Sequence, residues 1–333
     1  EDVDTSELLD VIARIPLRVY ELEKDTMEGR RRFGVIGEEV EQLVPDAVRV
    51  GRRAFSQGPK KPPVFVDDVA IVDDPVLFMH GGGQTRHAWG GAAAALAGRG
   101  WYTISMDHRG HGDSGWSPDA NYELDYFVED FFAVLEQIGR KTVICGASLG
   151  GRTALHGLGE GSQELASALI LVDIAPKTEA KGVARIQQFM RANLDGFASL
   201  EDAADAVAAY REHRSRPKDV SGLKKNLRLK EDGRWYWHWD PKYIDRRDRE
   251  DPSRNKRVRT STPNIKVPTL LIRGGSSDVV STEGVQDFLN LLPTAKFIDV
   301  ADAGHMIAGD KNDIFTDAVV DFLGQTFTDH ETA

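Results

Sequence analysis

The sequence predicts an α/β protein: a mostly parallel sheet with helices on both faces and an inserted helical cap. Two observations lead to this prediction. From Pro75 onward, short apolar runs alternate with helical patterns, and the alternation stops between about Pro176 and Pro263. Strands that alternate with helices form βαβ units whose strands lie parallel. We therefore expect a core of residues 64–175 and 264–333, a cap of residues 176–263, and an N-terminal extension of residues 1–63.

The predicted strands are short apolar runs closed by glycine, histidine or aspartate. They cover residues 76–79, 102–106, 142–146, 168–173, 269–273 and 296–300. Helical patterns cover 124–138, 152–159, 284–292 and 313–322 in the core, and 183–193 and 200–211 in the cap. Residues 47–55 and 64–72 are candidates for two further strands. Because ligands of parallel sheets bind at the carboxyl ends of the strands, residues directly after these runs are the candidate site.

Composition excludes several classes of protein. Hydrophobic residues make up 41% of the chain, enough for a sizeable core, and a single cysteine, Cys145, excludes a disulfide framework. The net charge of −11 argues against general nucleic-acid binding. No apolar run reaches the ~18 residues of a membrane span. Residues 1–10 are acidic and unlike a signal peptide. We therefore expect a cytoplasmic protein without a membrane span.

The strongest local signal is Gly146-Ala147-Ser148-Leu149-Gly150, a G-x-S-x-G sequence between a predicted strand and a predicted helix. In that context the motif indicates a nucleophile elbow, a strained turn that lifts the serine hydroxyl clear of the sheet. The amide of Leu149 would lie at a helix N-terminus, where it can stabilise an oxyanion.

A second turn, His80-Gly81-Gly82-Gly83, follows the predicted strand 76–79. A turn of this kind can supply the other oxyanion amide. We expect Gly82 to be the donor, because glycine lets the backbone approach the substrate closely. We interpret His80 as a structural hydrogen-bonding residue rather than a base.

Candidates for the remaining catalytic groups follow the last two predicted strands. Asp278 comes shortly after strand 269–273, and His305 follows strand 296–300. The order Ser148, Asp278, His305 is one of the known serine-triad arrangements, in which histidine is the base and aspartate orients it. Asp173, at the end of strand 168–173, is the alternative acid, and chain order favours Asp278.

The polar loop from Asp107 to Gly115 has two interpretations, because it contains two histidines and two aspartates. It could hold a metal ion or brace neighbouring turns. No three-ligand set has metalloenzyme spacing, so we favour bracing.

Charge is unevenly distributed along the chain. Residues 211–260 hold 17 Lys/Arg and 9 Asp/Glu, a net of +8, which leaves −19 elsewhere. This segment would either dock on an acidic body, which we favour, or steer anionic substrates. It contains Trp235, Trp237 and Trp239, which an extended backbone would place on one side. They would either line a substrate pocket or anchor the cap.

These motifs together resemble those of the α/β-hydrolase superfamily, from about Pro75 to Leu323. They are H-G-G-G, D-x-R-G-H-G-x-S, G-x-S-x-G-G, the late aspartate and the final G-H. The resemblance implies an eight-stranded sheet with a cap after the sixth strand. It also implies Ser148 as nucleophile, His305 as base, Asp278 as acid, and the amides of Gly82 and Leu149 as oxyanion hole, with no metal or organic cofactor. Bacterial esterases and the cofactor-free non-haem peroxidase group look most similar.

We therefore expect a serine hydrolase that cleaves a small carboxylic ester or lactone. Two alternatives keep the triad and change the reaction: perhydrolysis (haloperoxidase chemistry) and carbon–carbon bond hydrolysis. Another alternative is a ligand receptor or scaffold with vestigial hydrolysis. The expected partner is a small ester-like molecule, and the oligomeric state is left open.

The N-terminal extension has a resemblance of its own. Residues 32–48 resemble a signature of the intramolecular chaperone domains of phage tailspikes, with Gly37-Glu38 in place of the usual Ala-Gln. No activity is assigned to this extension.

Overall fold

The computed structural model describes residues 74–210, 216, 218–245, 252–301, 303–305 and 312–328. The strands in these residues are β1 (Val76–Met79), β2 (Thr103–Met106), β3 (Thr142–Ala147), β4 (Ala166–Val172), β5 (Leu227–Leu229), β6 (Trp235–Trp237), β7 (Thr269–Gly274) and β8 (Lys296–Val300). Six of them form one sheet in the order β2-β1-β3-β4-β7-β8, and every neighbouring pair is parallel. Strands β5 and β6 form a separate antiparallel pair.

The α-helices of the described residues lie between these strands. They are α1 (Gly90–Ala97), α2 (Leu124–Ile138), α3 (Leu149–Glu160), α4 (Ala180–Arg191), α5 (Leu200–Tyr210), α6 (Pro241–Ile244), α7 (Pro252–Ser261), α8 (Thr282–Leu291) and α9 (Asn312–Thr328). In this part of the chain we find no helix that is both long enough and apolar enough to cross a membrane.

Strands β1, β2, β3, β4 and β7 are buried at nearly every position, whereas the edge strand β8 is mostly exposed. Alternate side chains belong to two separate core clusters, so Leu77 and Met79 enter one and Val76 and Phe78 the other. Helices α2, α3 and α8 contribute to the first cluster, and helices α1 and α9 to the second. This two-sided burial is typical of parallel sheets, and it confirms the predicted fold class.

The predicted strands agree with the observed ones to within two residues at either end. The resemblance implied eight strands, and the described residues form a six-stranded sheet. The candidates for two further strands, residues 47–55 and 64–72, lie outside the described residues. The N-terminal extension, residues 1–63, which includes the segment that resembles the tailspike domains, also lies outside the described residues.

The polypeptide leaves the sheet after β4 and returns at β7, and the segment between them contains α4 to α7 and the β5–β6 pair. We call residues 176–263 the cap segment, as the sequence predicted, and its limits as a domain remain a prediction. A third apolar cluster contains residues of both body and cap segment, and in it the rings of Tyr122 and Phe127 pack edge-on against that of Tyr243.

Candidate active site

Ser148 lies in a strained turn at the end of β3, directly before α3. Its backbone has φ 46° and ψ −106°, which is an unfavourable conformation for a residue with a side chain. The flanking glycines are required by close contacts. A Cβ on Gly150 would lie 2.4 Å from the carbonyl oxygen of Met79, and one on Gly146 would lie 2.5 Å from the amide nitrogen of Gly151. The geometry is that of the expected nucleophile elbow.

The turn after β1 lies beside this elbow. The amide of Gly150 donates to the carbonyl oxygen of His80 at 3.1 Å, which links the two turns. A Cβ on Gly81 would lie 3.2 Å from the Cβ of Ser148, so the glycine turn is in contact with the serine. Gly82 and Leu149, whose amides are the predicted oxyanion donors, line the same cavity as Ser148.

His305 is paired with Asp173, at the end of β4. The His305 Nδ1 atom lies 2.6 Å from Oδ2 of Asp173. The Asp173 carboxylate is fully buried and also accepts hydrogen bonds from the Gly274 amide at 3.0 Å and from Ser277 Oγ at 2.5 Å. Because carbonyl and carboxylate oxygens only accept, Nδ1 of His305 carries the proton, and Nε2 is left as the possible base.

Asp278, the acid predicted from chain order, does not pair with His305 in this structure. It pairs instead with Arg185 of α4 at 3.2 Å, and both side chains are about two-fifths exposed (39% and 43%). The reason is the course of the loop after β7, which directs Ser277 toward Asp173 while the Asp278 backbone packs against Gly182 of α4. The alternative acid, Asp173, therefore has the geometry that the sequence had assigned to Asp278.

Ser148 and His305 line a cavity of about 560 Å³ between the body and the cap segment. Apolar cap side chains cover it, including Ile186, Met190 and Leu223. Trp237 and Trp239 line it as well, stacked with ring centroids 4.7 Å apart, and both also belong to the apolar cluster that joins cap and body. Trp237 and Trp239 therefore stand both in the cavity wall and in the contact between cap segment and body.

Trp235 is in a different position from the other two tryptophans. It lies outside this cavity lining and exchanges two main-chain hydrogen bonds with Phe197. Its side chain nevertheless packs against the same apolar cluster as Trp237 and Trp239, which agrees with the one-sided arrangement that alternation suggested.

The loop from Asp107 to Gly115 has the contacts of a brace. Asp107 is fully buried, and its carboxylate accepts hydrogen bonds from the amides of Arg86 and Asp113. It also forms an ion pair with the Arg86 guanidinium. Arg109 forms a bidentate pair with Asp130 of α2 at 2.5 and 2.9 Å. Among the described residues, no group of three or more His, Cys, Asp or Glu side chains could hold a metal ion.

His80 has the structural role that was expected. Its Nδ1 atom donates to the carbonyl oxygen of Gly81 at 2.7 Å, and its Nε2 atom accepts from the amide of His108 at 3.0 Å. Burial lowers the pKa of His80, so the ring stays neutral.

Two residues near the site were not singled out from the sequence. Ser277 holds the Asp173 carboxylate, and His238 projects from the cap segment toward the turn after β1. Of these two residues, only His238 could have been found from a pattern in the sequence. His238 lies between Trp237 and Trp239, so period-two alternation would place it on the opposite side of the chain from them.

Comparison with known proteins agrees with this geometry. The family model for the alpha/beta hydrolase fold matches residues 74–311. The chain belongs to the α/β-hydrolase family. The match runs from the start of the described residues past His305, so it includes the elbow, the glycine turn and the Asp173–His305 pair.

Curated α/β-hydrolase relatives carry the names of enzymes. The chain is 26% identical over 319 residues to "Esterase Rv0045c" of Mycobacterium tuberculosis, covering 87% of this chain and 95% of that protein. It is 28% identical over 268 residues to mouse "sn-1-specific diacylglycerol lipase ABHD11", covering 74% of this chain and 80% of that protein. The chain is therefore an α/β-hydrolase enzyme with esterase-like relatives.

Solved structures of α/β hydrolases share the fold. E-2-(acetamidomethylene)succinate hydrolase superposes with a TM-score of 0.66 at 21% identity, covering 75% of this chain and 91% of its own. The crystal structure of Rv0045c superposes with a TM-score of 0.61 at 24% identity, covering 89% and 99%. At these identities the likeness is evidence for the fold alone.

Proposed function

We propose that this α/β hydrolase is a serine esterase that cleaves a small carboxylic ester or lactone through an acyl-enzyme. Ser148 is the nucleophile, His305 the general base and Asp173 the acid that orients it. Asp173 takes the role that chain order suggested for Asp278, because it is the carboxylate that contacts His305. The amides of Gly82 and Leu149 form the oxyanion hole.

In the first half of the reaction, Ser148 Oγ attacks the ester carbonyl while Nε2 of His305 takes its proton. The buried Asp173 carboxylate stabilises the imidazolium that forms. The negative oxygen of the tetrahedral intermediate accepts hydrogen bonds from the two amides. When the intermediate collapses, the carbon–oxygen bond breaks, and the alcohol leaves with the proton from His305.

In the second half, His305 takes a proton from water, and the hydroxide attacks the acyl-enzyme carbonyl. Collapse returns the proton to Ser148 Oγ and releases the carboxylic acid. The cavity of about 560 Å³ and its apolar cap residues support a small ester or lactone with an apolar acyl or alkyl group.

The single observation that carries this proposal is the hydrogen bond between the buried Asp173 and His305, which lines the same cavity as Ser148. The test is a panel of 4-nitrophenyl esters of increasing acyl length, assayed with the wild type and Ser148→Ala. We expect the variant to lose activity by about 10⁶-fold, the scale seen when serine proteases lose their nucleophile.

A fluorophosphonate that labels Ser148 in the wild type, located by mass spectrometry, gives an independent readout of the nucleophile. Turnover of the ester panel by Ser148→Ala at the wild-type rate would contradict the proposal. Product analysis with hydrogen peroxide present separates hydrolysis from perhydrolysis, because only the latter yields a peracid.

A further inference from the structure

Gly83 follows the proposed oxyanion donor Gly82, and two histidines hold it at both of its backbone polar groups. Its amide donates to Nε2 of His111 at 3.1 Å, and its carbonyl oxygen accepts from Nε2 of His238 in a long hydrogen bond of 3.4 Å. His111 belongs to the loop after β2, whereas His238 belongs to the cap segment. The turn after β1 is therefore held from the body and from the cap at one residue.

The partners of the other ring nitrogens determine the tautomers. His111 Nδ1 lies 3.0 Å from the carbonyl oxygen of Arg109, so it carries the hydrogen and leaves Nε2 free to accept. His238 Nδ1 accepts from the amide of Gly112 at 2.7 Å, so its hydrogen is on Nε2. Both rings are buried and their pKa values are lowered mainly by desolvation, so both are neutral in these roles.

Three histidine contacts hold three consecutive peptide planes of this turn, from Gly81–Gly82 to Gly83–Gln84. The peptide between Gly81 and Gly82 carries the proposed oxyanion N–H, and the bond from His80 to the Gly81 carbonyl oxygen holds one edge of that plane. Because peptides are planar and trans, the N–H points away from the held oxygen. The next peptide, between Gly82 and Gly83, is held through its N–H by His111. The one after it, between Gly83 and Gln84, is held through its carbonyl oxygen by His238, so the cap contact reaches the Gly82 amide through the intervening peptide.

We propose that His111 and the cap residue His238 are positioning residues of the oxyanion hole, and that His238 makes the direction of the Gly82 amide depend on a seated cap. This inference rests on the proposed function. It explains why a cap histidine with no place in the triad is buried against the turn after β1.

Matched substitutions separate positioning from packing, because glutamine reaches about as far as Nε2 of histidine and asparagine about as far as Nδ1. At both positions the glutamine variant can keep the contact with Gly83 and loses the other one. The asparagine variant loses the contact with Gly83. It keeps the contact with Arg109 at position 111 and the contact with Gly112 at position 238. The experiment compares His111→Asn with His111→Gln, and His238→Asn with His238→Gln.

We expect the asparagine variants to lose kcat by roughly 10- to 100-fold with KM changed by less than about 2-fold, because a small misplacement of a catalytic group is costly. The glutamine variants should stay within about 3-fold of wild type. The second readout is benzeneboronic acid, whose tetrahedral adduct with Ser148 places a negative oxygen in the oxyanion hole. Its Kd should rise in the asparagine variants in parallel with the loss of kcat, while the Ki of the carboxylate product stays constant.

Equal losses in the asparagine and glutamine variants, or an unchanged boronic acid Kd in the asparagine variants, would overturn the inference. Should His111→Asn fail to fold, the His238 pair makes the same comparison. Failure of the proposed function looks different: the wild type itself would neither turn over esters nor bind the boronic acid in a Ser148-dependent way.

Discussion

Two residues of the candidate triad, Ser148 and Asp173, share an unusual backbone conformation. Both have positive φ, 46° and 49°, although neither is glycine, and each lies at the end of a central strand. Conformations of this kind cost about 1–3 kcal/mol each and persist only when their surroundings hold them. The Ser148 amide bonds to the carbonyl oxygen of Val172, and the Asp173 amide to that of Ile272. Neighbouring strands thus stabilise both turns.

The acid of the triad can be tested by a matched pair of substitutions. We expect Asp173→Asn to lower kcat by about 10³- to 10⁴-fold, because an amide no longer selects the His305 tautomer with a proton on Nδ1. Asp278→Asn breaks only an exposed pair with Arg185, which is worth about 0–1 kcal/mol. Steady-state kinetics with one ester decide between them. A large loss in Asp278→Asn with little effect of Asp173→Asn would return the role to Asp278.

Chain order, on which we favoured Asp278, does not separate these two aspartates, because both follow apolar strands and both lie between Ser148 and His305 in the chain. What separates them is the order of strands in the sheet, in which β4 lies between β3 and β7. Asp173 is therefore next to the elbow and within reach of Gly274 and Ser277, which hold its carboxylate. Strand order depends on contacts between residues that are distant in the chain, so the residues near either aspartate do not predict it.

At the scale of elements, the sequence was most informative where burial is two-sided. The strands of a parallel sheet are continuous apolar runs, so their ends are visible as the first polar residues or glycines. The helix α2 was predicted with its observed limits, because its apolar face repeats with helical period and Gly139, with φ 67°, ends it. The hairpin strands β5 and β6 have three residues each, too short for a pattern.

Four buried histidines join three elements around the glycine turn: His80, His108, His111 and His238. Burial lowers the pKa of each one, and that of His238 falls to about 3. They are neutral in the folded protein, whereas an unfolded chain takes up a proton on each near pH 6.5. A lowered folded-state pKa in a histidine therefore favours unfolding as the pH falls.

We expect the free energy of unfolding to fall between pH 7.5 and pH 5.5, by up to about 1.4 kcal/mol per pH unit for each of these histidines below pH 6.5. Carboxylates with lowered pKa values, such as Asp107, lose their contribution to the free energy of unfolding only at lower pH. They therefore do not affect the slope between pH 7.5 and pH 5.5. Urea denaturation at a series of pH values measures the slope. In His238→Gln the slope should decrease by about one proton, and an unchanged slope would show that His238 is not buried neutral.

At the scale of the whole molecule, three arginines of the cap segment form ion pairs with carboxylates of the body. Arg228 pairs with Asp113, Arg259 with Asp287, and Arg257 with both Asp125 and Glu160. These contacts agree with the electrostatic docking that we favoured from composition. All three arginine side chains are two-fifths to one-half exposed, so each pair is worth about 0–1 kcal/mol and is screened by salt.

Pairing with body carboxylates weakens the field that these three arginines project into the solvent, and the docking hypothesis uses the charge of the cap segment for contact with the acidic body rather than for steering. We therefore expect kcat/KM for a carboxylate-bearing ester, such as a 4-nitrophenyl hemisuccinate, to follow that for the neutral 4-nitrophenyl butyrate as salt rises. Over 0.01 to 1 M ionic strength the Debye length shrinks from about 30 to about 3 Å, which removes long-range attraction. The ratio of the two kcat/KM values should change by less than about 2-fold, and a 10-fold fall would show steering instead.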